Sequence, residues 1–257
     1  IAIYKNGYNE AEKVGAMTFS VEANKSDTQQ ILMDGNQALS MGIIDAGFKL
    51  FSGYPITPAS SVMHNLAKIF SSYGGILHQA EDEISAIGTV IGGYFAGVPS
   101  ITATSGPGLS LKQEFIGLAM SSETPCVVID VQRGGPSTGL PTRTEQSDLF
   151  AAVLGSHGDN TKIVLSVSNA EDCFYAPHVA RYLTEKLRLP VIIMSDYITS
   201  VSYRLFEKLS TNTMSDSVED ISDEVLNRFG LKRLGDIKMV KTNQSNPGVE
   251  GGVRRIT

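Results

Sequence analysis

The sequence is sparing with cysteine, with clustered positive charge and with long apolar runs, and each shortage removes a class of function. Two cysteines occur in 257 residues. Cys126 lies in an apolar run and Cys173 near a predicted helix start, far apart and without Cys-x-x-Cys spacing, so the chain holds no iron–sulfur cluster by itself. A formal net charge of −6 with no run of Lys or Arg argues against a nucleic-acid footprint or an anionic-membrane patch. No apolar stretch approaches the roughly 18 to 20 residues of a membrane span, and no charged start leads into an apolar signal core. The cytoplasm is the expected location. His64, His78, His157 and His178 fall on different predicted elements without the spacing of a zinc site, and no nucleophile elbow supports Ser-His-Asp chemistry. No metal is expected on this chain. What the sequence does have is apolar content, 42% of residues, ample for a buried core.

Short apolar runs alternate with helical periods from Gln30 onward. Strands are expected at Ile31 to Met33, Lys49 to Ser52, Ile76 to Gln79, Ser100 to Thr104, Cys126 to Val131, Lys162 to Val167 and Val191 to Ser195, with helices between them. The alternation predicts an α/β fold, a doubly wound, mostly parallel sheet covered on both faces. Three regions follow: a polar tail or linker over 1–27, the α/β domain over 28–200, and a linker over 201–257 leading to a truncated next domain. The last region carries acidic positions at Asp216, Glu219, Asp220, Asp223 and Glu224, which read as a mobile linker or a solvent-facing helix. Both ends look cut: the first residue is Ile1, and the final segment reads like a strand entered and abandoned. In doubly wound sheets ligands sit beyond the carboxyl ends of the strands, so the loops at 52–61, 80–83, 105–109 and 132–144 are where chemistry is expected.

Four stretches stand out. Gly53-Tyr54-Pro55-Ile56-Thr57-Pro58 leaves a strand in a proline-stiffened turn that presents the Thr57 hydroxyl where a helix begins, a place to bind an anion or an ordinary capped loop. Gln79-Ala80-Glu81-Asp82-Glu83 gathers three carboxylates at a helix start. Glu81 and Asp82 suit caps, whereas Glu83 opens a helix rich in glycine (Gly88, Gly92, Gly93, Gly97), the kind against which another surface packs closely. Ser105-Gly106-Pro107-Gly108 has glycines that let a ligand ring or another chain approach the backbone, but lacks the spacing and lysine of a P-loop. The loop from Arg133 to Thr144 is bracketed by two guanidiniums. Arg133 and Arg143 suit the two ends of a dicarboxylate, or one substrate group and one structural partner, with a surface ion pair the simpler role for Arg143. His157 suits an acid–base group or a structural hydrogen bond.

With those motifs in view, residues from about Gln30 to Asp196 closely resemble the alpha subunit of 2-oxoacid:ferredoxin oxidoreductases, particularly the 2-oxoglutarate type. The resemblance rests on Tyr54-Pro55-Ile56-Thr57-Pro58, Gln79-Ala80-Glu81-Asp82-Glu83, Thr102-Ala103-Thr104-Ser105-Gly106-Pro107-Gly108 and the loop from Arg133 to Gln146, in family order and spacing. It implies a pyrimidine-side domain of a thiamine diphosphate site that a beta subunit completes. Glu83 would be the glutamate that hydrogen-bonds N1′ of the aminopyrimidine, with Tyr54, Pro55, Ile56, Ser105 and Gly106 also at the cofactor. Thr57 and Arg133 would hold the substrate 1-carboxylate, and Arg143 is placed at the distal carboxylate. The implied reaction is oxidative decarboxylation of 2-oxoglutarate with coenzyme A to succinyl-CoA, electrons passing to ferredoxin. No Gly-Asp-Gly followed by paired asparagines is present. Magnesium and a [4Fe-4S] cluster are therefore expected on the partner chain, and the chain alone should be inactive. Pyruvate or another 2-oxoacid is the alternative substrate. Competing identities are a transketolase-like thiamine enzyme, a scaffold that kept the fold without catalysis, and a mononucleotide-binding domain using the Ser105 to Gly108 loop.

Overall fold

The computed structural model describes residues 2–15, 27–207, 209, 218 and 221–235, with the backbone of 239–241 and 254–256. In chain order the elements are α1 (Ala2–Val14), β1 (Gln30–Met33), α2 (Gly35–Asp45), β2 (Leu50–Gly53), α3 (Ser60–Ile69), β3 (Ile76–Gln79), α4 (Glu83–Phe95), β4 (Ser100–Thr104), α5 (Gly106–Ser121), β5 (Cys126–Gln132), α6 (Leu149–Leu154), β6 (Ile163–Ser166), α7 (Ala170–Leu187), β7 (Pro190–Asp196), α8 (Tyr197–Val201), β8 (Arg204–Glu207), α9 (Asp223–Arg228), β9 (Met239–Lys241) and β10 (Arg254–Ile256).

Six of these strands form one parallel sheet in the order β3-β2-β4-β5-β7-β6. Every residue of β4, β5 and β7 is buried, which is why their text is apolar without alternation. Val127, Val128 and Ile129 pair in register with Val191, Ile192 and Ile193 at the centre of the core. Helices α2, α3 and α7 pack together on one face, and α4 and α5 cover the other. Helix starts follow the local chemistry: Asp34 makes a capping box with Gln37, and Asp82, Asn169 and Asp196 each accept a hydrogen bond from a first-turn amide.

One strand does not sit where the periodicity put it. Ile31 to Met33 does not begin the parallel sheet; β1 pairs antiparallel with β8 as a separate ribbon. The reason is visible in its side chains, none of which is buried, with Leu32 61% exposed. A strand apolar on one weakly covered side cannot enter a sheet sandwiched between helix layers.

Of the acidic positions after Ser200, Asp223 and Glu224 open a helix, α9, that packs against α7. Leu226 of α9 is fully buried, Ile221 nearly so, and the Arg228 guanidinium meets Glu171 at 2.6 Å and Asp172 at 2.8 Å on α7. Glu224 begins α9, and Asp223 pairs with Arg233 at 2.9 Å. Asp216, Glu219 and Asp220 lie outside the described residues. Among the described residues no helix is long and apolar enough to cross a membrane.

Candidate functional site

The carboxyl ends of β3, β2, β4 and β5, four adjacent strands, deliver the four loops singled out in the sequence to one edge of the sheet. After β2, Tyr54 and Pro55 are exposed, Ile56 is half-buried, and the chain turns at 57–59 through a cis Thr57–Pro58 peptide. Two buried side chains hold that turn. The Arg133 Nη1 donates to the Thr57 carbonyl at 2.6 Å, and Asn36 Nδ2 donates to the Pro58 carbonyl at 3.0 Å and to Ser61 Oγ at 2.7 Å. Arg133 also donates through Nη2 to the Thr138 carbonyl at 3.0 Å, while its Nε is buried without a partner. One guanidinium thus ties the threonine turn to the loop that follows β5.

That loop is a built structure. Gly134 N–H donates to the Arg143 carbonyl at 2.8 Å, Leu140 N–H to the Gly134 carbonyl at 2.9 Å, and Gly135 N–H to Glu145 Oε2 at 2.8 Å. Gly135 (φ 79°) and Gly139 (φ 29°) supply backbone angles that disfavour side chains. Gln146 anchors its end on Asp196 at 2.7 Å. Arg143 contributes its backbone to this frame, and its side chain is exposed at the rim. Of the two bracketing arginines, Arg133 is the buried one. His157 is exposed on the loop between α6 and β6.

Glu83 is the first residue of α4, and it is buried, only 8% exposed. Its neighbour Asp82 takes the capping role, accepting from the Ser85 amide at 2.7 Å; that bond holds its exposed carboxyl below the usual range. The division of labour leaves the Glu83 carboxyl free of capping duty. Facing it is the start of α5. A Cβ placed on Gly108 would overlap Thr104 Oγ1 and fall 2.8 Å from Glu83 Cγ and 3.1 Å from its Oε1, so glycine is what lets helix and carboxylate lie side by side. Ser105, the residue preceding α5, has a fully buried hydroxyl without a partner. Of the glycines along α4, Gly93 packs on Ser100 and Leu50 and Gly88 on Phe115, while Gly92 faces open space.

Sequence reasoning passed over several residues here. Lys112 of α5 is fully buried and its ammonium donates to the Glu83 backbone carbonyl at 2.6 Å. Asp130 of β5 is fully buried and neither oxygen meets a donor, while Asp148 lies across from it and against Gly106. Burial first, then the Asp148 charge, push Asp130 well above the ordinary carboxylate range; burial also raises Asp148, opposed first by the Asp130 carboxyl beside it and then by the Arg133 charge. Both effects favour the protonated form of Asp130. Because the folded state raises Asp130, its stabilising contribution is present below pH 3.8 and is lost as pH rises through the folded value. Asp130→Asn cannot titrate. The thermal-midpoint difference between this variant and wild type is expected to shift in the variant's favour as pH is raised from about 4 to 8. A difference constant across that range would show that no proton is held there. An acid embedded in Cys126-Val127-Val128-Ile129-Asp130-Val131 was the available signal for this pair.

Contacts therefore link two groups on this edge, Thr57, Pro58, Asn36 and Arg133 in one and Glu83, Lys112, Thr104 and Gly108 in the other, with Asp148 against Gly106. Comparison with known proteins gives the chain a family. Residues 41–235 match the family described as pyruvate flavodoxin/ferredoxin oxidoreductase, thiamine diphosphate-binding. The 2-oxoglutarate synthase subunit KorA of Methanothermobacter marburgensis is 46% identical over 192 residues, 75% of this chain and 50% of that protein. The 2-oxoglutarate oxidoreductase subunit KorA of Mycobacterium tuberculosis is 41% identical over 200 residues, 75% of this chain and 30% of that protein. A solved 2-oxoglutarate:ferredoxin oxidoreductase from Magnetococcus marinus, with 2-oxoglutarate, coenzyme A and succinyl-CoA bound, matches 82% of this chain and 37% of its own with a TM-score of 0.74 and 45% identity. The chain spans half the length or less of these relatives. The resemblance read from the Tyr54 to Pro58, Gln79 to Glu83, Thr102 to Gly108 and Arg133 to Gln146 motifs is borne out, and the chain belongs to the thiamine diphosphate-binding family of the pyruvate flavodoxin/ferredoxin oxidoreductases.

Proposed function

We propose that the chain is the pyrimidine-side part of the alpha subunit of a 2-oxoacid:ferredoxin oxidoreductase that converts 2-oxoglutarate and coenzyme A to succinyl-CoA and passes the electrons to ferredoxin. The observation that carries this is the buried Glu83 at the carboxyl edge of the sheet, freed from capping by Asp82 and approached by a helix start that glycine keeps clear. Those features fit an aminopyrimidine: a buried carboxylate to share a proton with a ring nitrogen, and a buried Ser105 hydroxyl still lacking a partner at the start of the helix that lies against it. Bound there, thiamine diphosphate supplies the carbon nucleophile that attacks a 2-oxo carbon. The residues of this chain bind and orient. Glu83 holds the proton at the pyrimidine, Tyr54, Pro55 and Ile56 border it, and Thr57 with Arg133 presents a polar, cationic edge for the 1-carboxylate. Arg143, exposed at the rim, is the contact for the distal carboxylate.

Magnesium, the diphosphate grip and the [4Fe-4S] cluster fall to a beta subunit in this reading, within a cytoplasmic complex. Next to Glu83, Ile84, Gly92 and Phe95 run down an uncovered side of α4, with Ile84 44% and Phe95 54% exposed, an apolar stripe suited to a partner chain. The test is co-expression of the full-length chain with a candidate beta subunit, followed by viologen reduction with 2-oxoglutarate or pyruvate in the presence of coenzyme A. Reduction is expected with 2-oxoglutarate from the complex and none from the alpha chain alone, and Arg143→Ala is expected to lower the 2-oxoglutarate to pyruvate preference. Silence from a folded, cofactor-loaded complex would favour the scaffold; turnover without a partner would overturn the split site.

A further inference from the structure

Asn36 stands in the first turn of α2, in a helix whose other buried side chains include Ala38, Leu39 and Ile43, and it is 1% exposed. A side-chain amide taken out of water is costly unless its polar atoms are paired. Here the pairing is one-sided. Nδ2 donates to the Pro58 carbonyl at 3.0 Å and to Ser61 Oγ at 2.7 Å, whereas Oδ1 is buried without a donor. A carbonyl only accepts, so the atom facing Pro58 is the nitrogen. Both donors of the amide therefore go to one turn, the turn that carries Thr57. One helical turn on, Ser40 Oγ donates to the Asn36 carbonyl at 2.7 Å and lies 3.3 Å from the Val62 carbonyl, which keeps α2 against the start of α3. From the other side, Arg133 Nη1 holds the Thr57 carbonyl at 2.6 Å. Consecutive carbonyls are thus gripped by donors from two elements, the loop after β5 and the start of α2, with Pro58 buried and Thr57 exposed.

We propose that Asn36 is a positioning residue for the 2-oxoacid: by holding the Pro58 carbonyl and Ser61 it sets where the Thr57 hydroxyl stands, and so how well the 1-carboxylate is gripped. The proposal rests on the reading of Thr57 as a contact of that carboxylate. Its physical content is geometric. Without the amide, the buried Pro58 carbonyl keeps only the longer approach of Ser61 Oγ, at 3.3 Å, and the Asn36 bond to that hydroxyl is gone as well. A buried acceptor left short of donors is unfavourable, so the turn shifts to relieve it and carries Thr57 along. Arg133 then holds the turn from one side only. Asn36 acts through Thr57, and its contribution vanishes when the Thr57 hydroxyl is absent.

The experiment uses the assembled complex of full-length chain and beta subunit, loaded with thiamine diphosphate and assayed by viologen reduction across a range of 2-oxoglutarate concentrations with coenzyme A in excess. Wild type, Asn36→Leu, Thr57→Val and the double variant form a cycle. Leucine fills the space of asparagine without a donor, and valine is threonine without its hydroxyl. Asn36→Leu is expected to lower kcat/KM per cofactor-loaded site by about 10- to 100-fold, the scale of a misplacement of about 1 Å. The dissociation constant of thiamine diphosphate should stay within about twofold of wild type, as for a site that is not coupled to the change. In the Thr57→Val background the same substitution should lower kcat/KM by about threefold or less, because the group it positions is gone. Equal losses in both backgrounds, or a loss matched by weaker cofactor binding, would mean that Asn36 only packs and would overturn the proposal. Wild-type kinetics in Asn36→Leu beside an impaired Thr57→Val would overturn it alone. If Thr57→Val is itself unimpaired, the reading of Thr57 fails and takes the proposal with it. Should Asn36→Leu not assemble, Ser61→Ala decides, since it removes the exposed partner of the amide. It is expected to lower kcat/KM by about two- to tenfold, the scale of one hydrogen bond, and an unchanged value overturns the role.

Discussion

Glu83→Gln is expected to lower 2-oxoacid-dependent viologen reduction by the assembled complex by about 10²- to 10⁴-fold, the range by which a positioned acid–base group contributes. The substitution is chosen because it removes proton exchange and little else. The α4 start is capped by Asp82 through the Ser85 amide, and the Lys112 ammonium contacts the Glu83 main-chain carbonyl; both interactions survive in the amide. Glutamine has the same volume, so the Gly108 contact is also retained. The buried ammonium loses its counter-charge and gives up its proton more readily, which limits the cost in stability. The complex should therefore elute at the wild-type size and bind thiamine diphosphate, with the loss falling on turnover instead of on assembly. Turnover within tenfold of wild type would show that the proton at the pyrimidine is held by some other group.

The elements most easily read from the sequence are those whose two sides meet the same environment. Strands β4, β5 and β7 are buried on both faces, so an unbroken apolar run marks each of them, and the alternation with helices then dictates a parallel sheet. Asp82 and Glu83 were legible for a local reason, since a carboxylate cluster directly before an apolar helical period marks the start of a helix. The misplaced strand β1 was beyond that logic. Its partner β8 is a four-residue segment in polar surroundings, and pairing between residues 30–33 and 204–207 leaves no local trace. The packing of α9 was obscured in the same way, because Ile221 and Leu226 are two buried positions amid acids. Lys112 differs: it stands at helical spacing with Leu109, Ile116 and Ala119, and that period alone places it on the inner face. A lysine is so often solvated that the pattern is easy to pass over.

Gly108→Ala is the second change expected to have a large effect, and it separates packing from chemistry. In α5 alanine is the better helix former, so an effect of backbone propensity would stabilise the variant. The surroundings predict the opposite. The added methyl would overlap the buried Thr104 Oγ1 and stand 2.8 Å from Glu83 Cγ, between two elements fixed by β4 and by the α4 cap. Overpacking of this kind costs about 1–3 kcal/mol, which lowers a melting midpoint by roughly 2–4 °C per kcal/mol in a domain of this size. The second consequence is displacement of the Glu83 side chain, and a shift of about 1 Å at a reacting group costs on the order of 10²-fold in rate. Combining Gly108→Ala with Thr104→Ala removes the hydroxyl overlap and leaves the Glu83 contact in place. The double variant is expected to regain most of the lost midpoint and little of the lost turnover. Recovery of both would mean that Gly108 is there to accommodate Thr104 alone, and a single variant with wild-type turnover would show that the Glu83 carboxyl tolerates displacement, which a proton-sharing partner of a ring nitrogen does not.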